Sequence, residues 1–152
     1  KEHALKMCQW LAEQGVVLIE QPMPKLMNEE HAWLCERVEV PIIADEACQT
    51  YADVAGLQPY YDGINIKLMK CGGMAEARKM IALARELGMQ VMIGCMTETS
   101  AGISAATTLS PLVDYADLDG HVLLANDPYD GIQLVNGKLT LVNKPGTGVT
   151  PL

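Results

Sequence analysis

Glu20, Asp45 and Lys67 each stand at the end of a short apolar run, in VVLIE, PIIADE and INIK. Two carboxylates are hard oxygen donors for a divalent cation, and burying either at an apolar strand end is costly without one. A lysine beside such a cation has its pKa lowered by the cation's field and can then accept a proton near neutral pH. Asp117 and Asp119 make a second pair, D-x-D, whose members project to one side of an extended chain and can clamp a cationic group. Three neighbours are candidates for supporting roles. Glu46 adjoins Asp45 but points to the other side of its strand. Lys70, three residues past Lys67, is placed either to pair with Asp45 or a nearby carboxylate or to be exposed. Glu98, in the loop MTETS, can face the site and hydrogen-bond a lysine.

These residues converge only if the runs that carry them are parallel strands, and the pattern between the runs supports this. Residues 16–20, 42–44 and 63–67 are strand-length and rich in Val and Ile, and 89–93 and a last short segment, 115–117, are read as further strands. Helical spacing fills the gaps. Residues 2–14 place Ala4, Leu5, Cys8, Leu11 and Ala12 on one face, and residues 74–87 do the same with Ala77, Met80, Ile81 and Ala84. Further helices are expected over 28–38, 51–56 and 101–109. The fold class is therefore α/β, a right-handed βα series. At roughly 20 to 25 residues per unit it suits a (β/α) barrel better than a doubly wound sheet. A complete barrel takes about 250 residues, so 152 residues supply a partial one, about three units short. Beyond Gly120 the pattern changes: IQLVNGKLTLV alternates about Asn136-Gly137, a hairpin signal.

Composition narrows the function classes. A formal net charge of −8 argues against nucleic acid or an anionic membrane surface as partner. No apolar run approaches the ~20 residues needed to span a bilayer, and a cytoplasmic location is expected. Five cysteines without CxxC or Cys/His pairs at zinc spacing read as free buried thiols in a reducing compartment. Nine methionines and no phenylalanine indicate that Met fills core volume. His3 and His31, on helical segments, read as surface residues, and His121 as at most a pocket wall.

The ordered set LIEQPMP, PIIADEA, INIKLMKCGGM, IGCMTETS and DLDG resembles the later strands of the enolase superfamily barrel. The similarity is to the muconate-lactonizing subgroup and, within it, to the dipeptide epimerases of the L-Ala-D/L-Glu type. It spans essentially the whole chain, and five motifs in order are far more specific than any one alone. The resemblance implies that residues 1–120 form barrel strands four to eight, and that residues 121–152 form a hairpin and tail packing on the barrel or on a capping domain. It implies Mg²⁺ as cofactor, with Glu20 and Asp45 as two of three ligands. Lys67 becomes one of two acid/base lysines, and Asp117 and Asp119 hold the substrate's α-ammonium. The third ligand and the second lysine, in a Lys-x-Lys motif, belong to strands that would precede Lys1.

The expected reaction is an isomerase's: epimerisation of a small-molecule dipeptide by removal of the proton α to a carboxylate, through an enediolate. Muconate cycloisomerase, o-succinylbenzoate synthase and N-succinyl amino acid racemase are the alternatives on the same fold. A further alternative is an inactive barrel fragment. On either view the chain is expected to need a missing N-terminal half or a homo-oligomeric partner, since five parallel strands leave open edges.

Overall fold

The computed structural model describes residues 1–152. Helix α1 (Glu2–Glu13) leads into strand β1 (Ile19–Glu20), and then α2 (Asn28–Cys35), β2 (Ile42–Ala44), α3 (Tyr51–Leu57) and β3 (Gly63–Lys67) follow. A one-turn helix α4 (Leu68–Cys71) precedes α5 (Met74–Glu86), β4 (Gln90–Gly94), α6 (Ser100–Thr107) and β5 (Tyr115–Ala116). The five strands form one sheet in the order β1-β2-β3-β4-β5, every neighbouring pair parallel. This strictly sequential order decides between the two α/β architectures, because a doubly wound sheet must reverse its strand order. Right-handed crossovers then place all the helices on one face, which is the geometry of a partial (β/α) barrel.

Strand alternation sorts the residues between the two faces. Ile19, Ile42, Ala44, Ile64, Ile66, Val91 and Ile93 join a hydrophobic cluster of 25 buried residues with Ala77, Met80, Ile81 and Ala84 of α5. Those four sit at i, i+3, i+4 and i+7, so the α5 stripe expected from spacing is the stripe that packs. Ile43 and Met92 are buried outside that cluster, on the opposite face with Glu20, Asn65 and Lys67. The chemistry thus sits on the face that carries no helices.

Boundaries differ from expectation at the edges. Strand β1 is two residues long and β5 ends at Ala116, because each is an edge strand with one partner to extend it. Helix α2 stops at Cys35, before 38, and α4 was not anticipated; its last residues lead into Gly72, whose left-handed φ of +89° turns the chain toward α5. After the sheet, β6 (Tyr129–Asp130) pairs antiparallel with β9 (Thr150–Pro151), and β7 (Gln133–Val135) with β8 (Lys138–Thr140). The β7–β8 turn is Asn136-Gly137 with φ of +51° and +73°, the backbone that this dipeptide favours. Asp127 ties the segment to the sheet unit by accepting from the Ser100 amide and hydroxyl, both at 2.6 Å.

His31 is buried, not at the surface. Its Nδ1 lies 2.8 Å from the Met27 carbonyl and 3.0 Å from the Tyr61 hydroxyl, while Nε2 has no partner. A carbonyl only accepts, so Nδ1 carries the proton and Nε2 is a bare buried acceptor. Burial holds His31 below its ordinary pKa despite the Met27 bond and the field of Glu30. The unfolded chain therefore takes up a proton before the folded one as pH falls below about 6.5, and stability is lost with it. The melting temperature of the wild type minus that of a His31→Phe variant is expected to fall between pH 7.5 and pH 5, measured by circular dichroism; a constant difference would remove this assignment.

Candidate functional site

The C-terminal ends of β1, β2 and β3 bring Glu20, Asp45 and Lys67 to one point. The Lys67 ammonium donates to Asp45 Oδ2 at 2.8 Å and lies 3.8 Å from Glu20 Oε1. Lys70, from α4, donates to Asp45 Oδ1 and to the Asp45 carbonyl, the latter at 3.1 Å. Of the two arrangements open to it, Lys70 thus adopts the pair with Asp45. The side chains of Asp45, Lys67 and Lys70 are 10%, 12% and 14% exposed, and that of Glu20 is 34% exposed. Asp45 is the enclosed member of the pair of carboxylates, and Glu20 the accessible one.

Burial and pairing act against each other on these groups. Burial alone would raise Asp45, but hydrogen bonds from Lys67 and Lys70 outweigh it and hold the carboxyl below its ordinary range. Burial would likewise lower Lys67, yet Asp45, then Glu20 and Glu46, hold it above the ordinary lysine value. This is opposite to the lowering expected beside a cation. The physical reason is that the carboxylates here spend their charge on the lysine itself, leaving it a protonated ion-pair partner.

Two amides that spacing did not single out complete the arrangement. Asn65 donates to Glu20 Oε1 at 2.6 Å, and its own Oδ1 is buried without a partner. It lies two residues before Lys67, so strand alternation alone places it on the same face. Gln21 accepts at Oε1 from the Asp45 and Ala47 amides, each at 2.9 Å. No periodicity marks that residue. Gly94, on the neighbouring strand, leaves room for Asn65: a Cβ there would lie 2.7 Å from both its Nδ2 and its Oδ1. Gly94→Ala is expected to displace the Asn65 amide from Glu20 and to lower stability by about 1–3 kcal/mol in urea unfolding; an unchanged midpoint would contradict the close fit.

The remaining candidates are placed differently. Asp117 extends the β5 ladder by donating its amide to the Ile93 carbonyl at 3.0 Å, and Asp119 begins a 3₁₀ turn over Gly120–Leu123. Both are exposed, and Leu118 between them is buried, so the two carboxylates project away from the core without an ion-pair partner. Glu46 is exposed and rims a groove of about 440 Å³ with Lys25, Asn28 and Gln49, reaching Lys67 only through its field. Glu98 does not bond a lysine. It accepts from the Met96 amide at 3.0 Å, because a two-residue separation lets the side chain close on its own loop. All five cysteines are free, and burial pushes Cys35 and Cys48 up to about 12, which removes them as nucleophiles. His121 is half-buried and its Nδ1 has no partner.

Glu20 and Asp45 fit a hard divalent cation by donor type, and the Lys67 ammonium already lies between them as a positive charge. They would fill only part of its shell, since no group of three or more His, Cys, Asp or Glu side chains converges to hold a metal. No helix is long and apolar enough to cross a membrane.

Comparison with known proteins agrees with this architecture. The L-Ala-D/L-Glu epimerase of Bacteroides thetaiotaomicron is 55% identical over 149 residues, covering 98% of this chain and 39% of its own length. The structure of a substrate-liganded complex of the L-Ala-D/L-Glu epimerase from Bacillus subtilis matches with a TM-score of 0.89 at 30% identity, over 99% of this chain and 44% of that one. The dipeptide epimerase from Enterococcus faecalis V583, complexed with Mg and the dipeptide L-Leu-L-Tyr, matches with a TM-score of 0.89 at 37% identity, over 98% and 44%. The chain thus spans about two fifths of the length of the proteins it matches. Residues 1–152 match throughout the family described as Enolase C-terminal domain-like, and the chain belongs to that family.

Proposed function

We propose that this chain supplies one half of the active centre of a Mg²⁺-dependent dipeptide epimerase of the L-Ala-D/L-Glu type. The observation that carries the reading is the convergence of Glu20, Asp45 and Lys67 on one face of the sheet, with the Lys67 ammonium 2.8 Å from Asp45 and 3.8 Å from Glu20. Relatives and structural neighbours named as dipeptide epimerases, one of them complexed with Mg, support it.

Glu20 and Asp45 would hold the cation, Asn65 keeping Glu20 oriented and Gln21 and Lys70 keeping Asp45. Bound there, Mg²⁺ would supply the positive charge that stabilises the enediolate of a substrate carboxylate. With both carboxylates engaged by a cation, Lys67 would lose the ion pairs that hold its proton. Having given up its own proton to solvent, the neutral Nζ would take the α-proton from one face of the substrate and return one to that face. Asp117 and Asp119, exposed and unpaired, bind the substrate's α-ammonium and fix its orientation. The second lysine and third carboxylate come from an N-terminal complement, carried by the same polypeptide or by a second copy, to which the open edges β1 and β5 are available. Residues 121–152 pack beside it. The five free thiols suit the reducing cytoplasm.

Proton exchange tests the reading. Incubating the complete protein with L-Ala-L-Glu and Mg²⁺ in D₂O should wash deuterium into the Glu α-position and yield the L-Ala-D-Glu epimer. Full retention of the α-proton would overturn it.

A further inference from the structure

Asp45 is held at every polar atom. Its Oδ2 accepts from Lys67, its Oδ1 from Lys70, and its carbonyl from Lys70 and the Cys48 amide, while its own amide donates to Gln21 Oε1. Four of these bonds lie on the acceptor oxygens, and both lysines compete directly with any cation for the carboxylate. Gln21 does not. Its side-chain oxygen takes the Asp45 and Ala47 amides at 2.9 Å each, so it holds the β2 terminus while leaving both carboxylate oxygens free.

The backbone of Gln21 is unusual as well. Its φ of +28° is the left-handed side of the map, which non-glycine residues rarely occupy, and Pro22 follows it. The amide of Gln21 still donates to the Ile43 carbonyl at 2.9 Å, closing the last bond between β1 and β2. Glu20 is the residue before it. One strained residue therefore follows the last residue of β1, adjoins Glu20 in the chain and anchors the strand end that presents Asp45. Strain of this kind persists only where surrounding contacts over-determine it.

We infer that Gln21 is a positioning residue that fixes the spacing of Glu20 and Asp45 for a divalent cation, its side-chain oxygen clamping two backbone amides of the β2 terminus. The inference rests on the proposed metal reading for its consequence, but the clamp itself is independent of any metal. Asn65 cannot replace it, because Asn65 reaches Glu20 alone.

Three variants of the complete protein test this: Gln21→Met, which keeps the size and loses the acceptor; Gln21→Glu, which keeps it; and Gln21→Gly, which relieves the φ and loses the acceptor. Hydrogen–deuterium exchange followed by mass spectrometry should show faster exchange in the peptide spanning Asp45 and Ala47 for Gln21→Met and Gln21→Gly, and the wild-type rate for Gln21→Glu. Titration with Mn²⁺, read by electron paramagnetic resonance, should show at least about fivefold weaker binding for the first two and near-normal binding for Gln21→Glu. Gln21→Gly should bind Mn²⁺ weakly even where relief of strain leaves its melting temperature unchanged or higher, which separates positioning from stability. Wild-type exchange rates in Gln21→Met overturn the clamp. Faster exchange with unchanged Mn²⁺ affinity overturns the positioning role. A wild type that fails to bind Mn²⁺ overturns the metal reading, while the exchange data still decide the clamp.

Discussion

Lys67→Met in the complete protein is expected to abolish epimerisation, with a loss of about 10²–10⁴-fold, the range removed with a positioned general base. The loss should be one-sided. Lys67 stands on one face of the site, so α-proton exchange in D₂O should vanish for the epimer whose proton faces it and persist for the other, served by the second lysine. Equal loss with both epimers would indicate a structural role, and retained epimerisation would exclude Lys67 as an acid/base group. The fold should tolerate the change, because Lys70 remains on Asp45 after Lys67 is gone.

Asp45→Asn should do more damage than any other single change at the site, because it acts twice. It removes a carboxylate from the pair proposed to hold the cation, and it leaves the Lys70 ammonium, 14% exposed, without its ion-pair partner and the Lys67 ammonium, 12% exposed, with only Glu20 at 3.8 Å. Breaking a buried ion pair by removing one partner costs about 3–5 kcal/mol, and the residual exposure here places the loss at the lower end, about 3 kcal/mol. Urea unfolding would show it, and a Mg²⁺ titration would show lost binding. A variant as stable as the wild type, with Mg²⁺ binding intact, would contradict both halves of the argument. Glu20→Gln makes the contrast: its side chain is 34% exposed and its lysine is 3.8 Å away, so stability should change by less than about 1 kcal/mol while cation binding falls. The pH dependence of the Asp45 contribution follows from its lowered pKa. It is fully present above the ordinary carboxylate range near 4 and is lost as pH falls through the lower folded value.

The open edges explain why neither experiment should be read on isolated secondary structure. β1 and β5 each have one neighbour and are the edges open to the proposed N-terminal complement. Cation binding and strand closure are then coupled, since a metal shared across the closing seam stabilises only the closed form.

Periodicity carried much of the fold. Alternation over 63–67 and helical spacing at Ala77, Met80, Ile81 and Ala84 are properties of adjacent residues, so each segment declares its own type and its own buried face. The Asn136-Gly137 turn is legible for the same reason, because a two-residue loop requires positive φ at both positions and this dipeptide tolerates it. The D-x-D pair was legible as residues, but the basis differed from the one assumed: the strand ends at Ala116, and it is the buried Leu118 that leaves Asp117 and Asp119 projecting outward.

Only the tertiary structure decided how the charged residues meet. Glu20 and Asn65 are 45 positions apart, and Gln21 and Asp45 are 24 apart, so their bonds depend on the register of three strands and on no local pattern. His31 reads as a surface residue from its helix alone and is buried in the fold for the same reason. Its burial comes from Tyr61, thirty residues away, packing over the ring. The end of the first apolar run shows the division plainly: the sequence by itself placed Glu20, Asp45 and Lys67 at the ends of successive strands of one α/β sheet. Their separations, the second lysine on Asp45 and the amides that hold both carboxylates emerged only on folding, because side-chain type is local whereas distance and electrostatic field are set by everything packed around it.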